Sequence, residues 1–188
     1  MRKLIYPINL SVDGCFNHTI GVPGADLFEF YIQLVRNASL IVYGRKTYQL
    51  MVPYWPDIAK NPAGETKEDK EDYEYALAFD ACNKIVFSRT LEQAEGKNTR
   101  IIRTGLKEEI LALKKEPGKD ILVGGVDIPS QLIELGLIDE YYFMIMPLIA
   151  GDGKRLMDGI GLQEKLQLKL VEARTFGSGS VLLHYLKQ

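Results

Sequence analysis

Short apolar runs alternate along this chain with longer stretches whose apolar positions return every three or four residues. Leu4 to Leu10 is a strand-like run that leads into an Asp13-Gly14 turn. From Ala25 to Asn37, Leu27, Phe30, Tyr31 and Leu34 share one helical face, which predicts an amphipathic helix. The strand Ser39 to Tyr43 stops at Gly44, and Arg45 to Met51 starts a short helix. Pro53, Pro56 and Pro62 then predict a loop from Pro53 to Thr66. Thr66 to Cys82 resumes as a helix, Lys84 to Phe87 and Arg100 to Arg103 as strands, and Lys107 to Lys115 as a helix. Asp120 to Val123 is a strand, and Ile128 to Leu135 a helix closed by Gly136. Three more strands follow, Glu140 to Met146, Gln167 to Thr175 and Val181 to Leu186. The last two are joined by the hairpin turn Gly177-Ser178-Gly179-Ser180. This alternation predicts an α/β fold: a mixed, mostly parallel sheet with helices on both faces and a C-terminal antiparallel hairpin. At 188 residues the length suits one domain, 1–188.

Composition narrows the function classes. Hydrophobic residues make up 46% and charged residues 26%, an ordinary globular balance. A net charge of -2 gives no basic footprint for a phosphate backbone, so no nucleic-acid partner is expected. The apolar start is too short for a signal peptide, and no run approaches the roughly 20 apolar residues that span a bilayer. A cytoplasmic protein without a membrane partner is the expectation. Cys15 and Cys82 sit in unrelated contexts and suit neither a zinc site nor a disulfide framework, so both read as free thiols. His18 and His184 lack metal-ligand spacing, and no metal site is expected. The acidic stretch Glu65 to Glu74 reads as a solvated helical face.

Candidate chemistry gathers where strands end. Gly44-Arg45-Lys46-Thr47 is a strand, glycine, helix junction that combines close backbone approach, helix amides and two cations, a set suited to phosphate. Ser88-Arg89-Thr90 places two hydroxyls and a guanidinium after a strand, a cradle for a phosphomonoester. Gly124-Gly125, followed by Val126, ends a strand just before a helix. Each also has a plain reading: a permissive turn, a Ser or Thr cap, a glycine pair of the kind common in turns.

Taken together, Ser11 to Gly14, Gly44 to Tyr48, Ile85 to Thr90, Val123 to Gly125, Leu137 to Glu140 and Pro147 to Gly151 resemble the dihydrofolate reductase-like superfamily. The resemblance is to stand-alone relatives of the reductase domain in bifunctional riboflavin-biosynthesis deaminase/reductases. It implies a three-layer dihydrofolate reductase-like fold, NADPH as cofactor, and hydride transfer to a small heterocyclic or ribosylamino substrate. It further implies that Gly44, Arg45, Lys46 and Thr47 contact the cofactor phosphates and that Ser88, Arg89 and Thr90 hold a ribose 2'-phosphate. Gly124, Gly125 and Val126 would pass beside the pyrophosphate, the two glycines joined by a cis peptide. Asp127 stands where some dihydrofolate reductases carry a basic residue, and a carboxylate near the 2' position favours NADH. Asp26, near the start of the first helix, is the implied catalytic acid, with Glu29 one turn on. An acid there is also favoured by the helix dipole alone. Asp13, in a turn that can close over the nicotinamide, is the second catalytic candidate. Tyr48, Tyr54 and Trp55 either line a substrate pocket or belong to the core, and Lys154 with Arg155 offers a basic pair for a substrate phosphate. The deaminase zinc motifs are missing, which leaves reduction alone, with a non-catalytic nucleotide-binding module as the alternative. The relatives commonly pair, so a homodimer is implied, although Tyr141 to Met146 suits the core better than a dimer contact.

Overall fold

In the computed structural model, residues 1–16, 24–61, 64, 66–96 and 98–188 are described; His18 and Pro62 lie outside them. The apolar runs become β1 (Leu4–Ser11), β2 (Ala38–Gly44), β3 (Asn83–Phe87), β4 (Thr99–Ile102), β5 (Asp120–Gly124), β6 (Glu140–Met146), β7 (Leu168–Thr175) and β8 (Val181–Lys187). The helices are α1 (Ala25–Arg36), α2 (Arg45–Lys60), α3 (Lys67–Ala81), α4 (Leu106–Lys115) and α5 (Asp127–Glu134). Among the described residues the strands form one sheet in the order β4-β3-β2-β5-β1-β6-β8-β7. The first six positions are parallel, while β8 runs antiparallel to β6 and β7 antiparallel to β8.

Strand alternation sorts the core onto two faces. Leu4, Tyr6 and Leu10 pack with Ile110 and Leu113 of α4 and with Ile128 and Leu132 of α5. Ile5 points the other way, into a cluster with Val35 of α1, Tyr48 and Val52 of α2 and Phe79 of α3. Each fully buried aliphatic side chain contributes about 1.5–3 kcal/mol, so two such clusters hold helices on both faces. The crossover from β1 to β2 passes β5 in one direction, and that from β5 to β6 passes β1 in the other. The sheet therefore has its topological switch point between β1 and β5, where open α/β sheets form a crevice at the strand carboxyl ends.

Pro53 and Pro56 do not break α2. The helix does not stop before Pro53 but runs through Pro53 and Pro56 to Lys60. Each proline removes a backbone donor, yet Tyr48, Val52 and Pro56 are buried. Trp55 also packs against Tyr75 with ring centroids 4.5 Å apart and against Phe28 at 6.3 Å. Burial of that face outweighs the lost bonds. A capping box, with Thr66 and Asp69 exchanging side-chain to backbone bonds of 3.1 Å, sets the start of α3. Cys15 and Cys82 are buried free thiols in separate clusters. No helix among the described residues is long and apolar enough to cross a membrane.

Glu140, only 4% exposed at the start of β6, anchors the junction of β1, β6 and β8. Its carboxylate lies 2.5 Å from Lys3 Nζ, accepts from Tyr142 Oη at 3.1 Å, and sits 3.0 Å from His184 Nε2. Burial pushes its carboxyl up, but the bonds to Lys3, His184 and Tyr142 win and hold it below the usual range. The stability this gives is complete above the pKa of a free glutamate, ~4.3, and is lost as pH falls through the lower folded value. Glu140→Gln is expected to cost about 2 kcal/mol at neutral pH and to flatten that part of the acid limb in urea melts. An unchanged melt would deny Glu140 this role.

Candidate active site

A cavity of about 890 Å³ opens at the switch point. β2 ends at Gly44 and α2 starts at once; β5 ends at Gly124 and α5 starts at Asp127. Neither helix has a side-chain cap, since its N-cap residue is Gly44 or Val126. First-turn N–H groups have no carbonyl partner within their own helix and carry the positive end of its dipole. Pro129 in the first turn of α5 lacks an N–H, which leaves Asp127 and Ile128 as donors there. Both helix starts line the same cavity, through Gly44, Lys46 and Thr47 and through Gly124, Gly125, Val126, Asp127 and Ile128. Two bare N-termini that line one space can receive an anion.

The glycine pair permits this convergence. A Cβ on Gly124 would run into the Tyr43 ring, and one on Gly125 into Thr47 Oγ1. Gly125 has φ +86°, which favours glycine. Tyr6 Oη fixes the turn by donating to Gly125 O at 2.9 Å. The bond between Gly124 and Gly125 is trans, not the cis bond the resemblance implied; the left-handed Gly125 makes the turn.

The other residues singled out in the sequence are placed differently. Arg45 is exposed and does not line the cavity. Ser88 is buried and caps its own turn, its Oγ accepting from Thr90 N at 3.2 Å and Leu91 N at 2.9 Å. Arg89 and Thr90 are exposed beyond the cavity wall. Because Phe87 pairs with Gly44, and Tyr43 with Gly124, all three turns leave the same rim of the sheet on neighbouring strands. Arg103 Nη1 donates to Arg89 O at 3.2 Å and brings a second guanidinium to that turn. Its only signal in the sequence was an arginine at a strand end. Asp127 sits at the start of α5, separated from the Ser88–Arg89 turn by β2.

The two carboxylates considered as acids have structural partners. Asp26 is exposed and does not line the cavity. It accepts from Leu27 N at 2.9 Å and from Gly177 N at 2.5 Å, tying α1 to the β7–β8 hairpin. Glu29 is exposed and pairs with Gln33 Nε2 at 2.8 Å along the helix surface. Asp13 accepts from Ser11 Oγ at 2.6 Å, Ala150 N at 3.0 Å and Gly151 N at 3.1 Å. The Ser11 hydroxyl first, then these amides, hold its carboxyl far below the usual range, so it has no proton to give near neutral pH. Asp13 is a staple. Arg155 Nε donates to Asp13 O at 3.0 Å, Leu156 N to Gly14 O at 3.1 Å, and Phe16 N to Lys154 O at 3.2 Å. The double loop so formed brings Phe16, Lys154 and Arg155 to the cavity wall.

The opposite end of the cavity is aromatic: Phe28 and Tyr31 of α1, Trp55 of α2 and Tyr75 of α3. Of the three aromatics named from the sequence, Trp55 is here, Tyr48 is core, and Tyr54 is 54% exposed. Phe28, Tyr31, Tyr75 and the polar Asn9 of β1 were missed because no local string joins them.

Known proteins agree with this architecture. The family model for the RibD C-terminal domain matches residues 2–182. The chain belongs to that family. YyaP of Bacillus subtilis (strain 168), an uncharacterized protein, is 32% identical over 192 residues, which cover 98% of this chain and 94% of YyaP. A pyrimidine reductase-like protein from Corynebacterium diphtheriae shares the fold with a TM-score of 0.67 at 17% identity, over 100% of this chain and 92% of that one. A diaminohydroxyphosphoribosylaminopyrimidine deaminase/5-amino-6-(5-phosphoribosylamino)uracil reductase from Thermotoga maritima also shares it, with a TM-score of 0.68 at 15% identity. That match covers all of this RibD-type chain but only 57% of the bifunctional protein.

Proposed function

We propose that this RibD-type domain is an NADPH-dependent reductase acting on a small, planar heterocyclic or ribosylamino substrate. The observation that carries the reading is the meeting of two uncapped helix N-termini, across a glycine pair, on one cavity at the switch point. That cradle fits a pyrophosphate, and a volume of about 890 Å³ falls within the range of small-molecule sites. The first-turn amides of α2 and α5, with Lys46, would hold the phosphates. Arg89, Thr90 and the neighbouring Arg103 would take the 2'-phosphate. The aromatic end would orient a flat ring and exclude water. When bound, the reduced nicotinamide supplies the hydride. The residues of this chain contribute chiefly alignment of the two rings in a dry site.

Steady-state consumption of NADPH with a panel of pterins, ribosylaminopyrimidines and small carbonyl compounds tests the reading. Oxidation that depends on one acceptor class is expected. A second reading, a nucleotide-binding module without turnover, is favoured by one observation: neither Asp13 nor Asp26 lines the cavity. Binding of NADPH without consumption by any acceptor would select it. Arg89→Ala is expected to weaken NADPH roughly tenfold, ~1.4 kcal/mol, and to leave NADH unchanged; equal NADPH affinity would remove Arg89 from the site. In the same reading the protein is cytoplasmic and works as a homodimer. β7, the outermost strand, has Leu170 and Val171 about half exposed and supplies an apolar edge. A monomer mass in sedimentation would remove the dimer.

A further inference from the structure

We propose that Asn9 selects the substrate by donating a hydrogen bond from its side-chain amide to a carbonyl of a flat ring, with Tyr31 fixing the direction in which it donates. The inference rests on the reading of the aromatic end as the substrate end. Asn9 lies on β1, beside the switch point, and both Asn9 and Tyr31 line the cavity. Tyr31 Oη donates to Asn9 Oδ1. A carboxamide has an acceptor end and a donor end, so this bond leaves the Nδ2 end facing elsewhere. Among the described residues Nδ2 has no hydrogen-bond partner, and it is not a sealed, buried atom. Were the amide turned over, Nδ2 would face the phenol and the phenolic hydrogen would lose its acceptor. Burial also pushes the Tyr31 hydroxyl far above its ordinary range, which keeps that hydrogen in place.

The surroundings narrow what Nδ2 can meet. Trp55, Tyr75 and Phe28 form a packed aromatic wall, with Phe28 and Tyr75 centroids 5.5 Å apart, which suits a planar occupant. In such an apolar setting one fixed donor discriminates strongly, because a ligand that presents its own N–H there leaves two donors face to face and unpaired. The site therefore reads a ring carbonyl and rejects a ring amine at the same position.

A matched pair of rings tests this: a dioxopteridine and the diaminopteridine of the same skeleton, which carries amino groups in place of the two carbonyls. Calorimetric titration of the wild-type protein is expected to give at least about tenfold tighter binding of the dioxo ring. Asn9→Asp converts the donor into an acceptor and is expected to reverse the order. Tyr31→Phe frees the amide to rotate and is expected to bring the ratio toward unity. Asn9→Leu, which has no donor, serves where the new charge prevents folding, and the ratio is again expected to collapse. Equal affinities in the wild type, no binding of either ring, or the same order in Asn9→Asp would overturn the proposal. Titration of the wild type with NADPH is read separately. A reversed ring preference without NADPH binding would sink the cofactor reading and leave Asn9 as the selector of whatever flat ring binds.

Discussion

Gly125→Ala is expected to remove measurable NADPH binding from a protein that still folds. Gly125 sits at φ +86°, where a side chain costs about 1–2 kcal/mol. The added Cβ would also run into Thr47 Oγ1 and come within 3.1 Å of Thr47 Cβ. Thr47 belongs to the first turn of α2, so relief requires the start of α2 to move away from β5. That motion spreads apart the two N-termini that must reach one pyrophosphate together. A loss of at least about 100-fold in affinity, ~2.7 kcal/mol, follows from their separation. The clash has a second partner, which makes it checkable. Adding Thr47→Ala removes the hydroxyl and should recover part of the loss, leaving the backbone strain and the 3.1 Å approach to the Cβ at position 47. Wild-type affinity in Gly125→Ala alone would show that the close approach of β5 to α2 is irrelevant to binding.

Asp13→Ala is the second large effect expected. Removing the carboxylate takes the shorter-range acceptor from the Ser11 hydroxyl, leaves the Ala150 and Gly151 amides without theirs and frees Arg155 from one side. The loop carrying Lys154 and Arg155 should then loosen, with faster hydrogen exchange at Ala150 and Gly151 and a raised KM for substrates that reach this wall. Because the folded carboxyl is held far below its usual range, the stability it confers is present above the unfolded carboxylate pKa and is lost as pH falls through the folded one. No step from Asp13 should therefore appear in a neutral pH–rate profile. Asp13→Asn should lower the profile without changing its shape. Loss of one limb in Asp13→Asn would restore Asp13 as a general acid.

What could be read from the sequence was what is local in the chain. Gly44 to Thr47 and Gly124 to Val126 are short strings at strand ends, and the sheet order sets them on neighbouring strands facing one cavity. Asp26 shows the opposite case. A carboxylate in the first turn of a helix looks the same whether it serves chemistry or folding, and its decisive partner, Gly177, is 151 residues away. The aromatic end was invisible for the same reason: Asn9, Tyr31, Trp55 and Tyr75 come from four elements and meet only after the helices pack. Pro53 and Pro56 misled because their local cost was visible and the packing of Val52 and Trp55 that offsets it was not.

Hydrogen exchange on the protein with and without NADPH tests the central claim most directly. The first-turn amides of α2 at Lys46 and Thr47 and those of α5 at Asp127 and Ile128 have no helical carbonyl to bond, so they should exchange quickly in the free protein. Saturating NADPH is predicted to slow both groups together. Binding that protects neither group, or only one, would contradict a pyrophosphate held between the two helices.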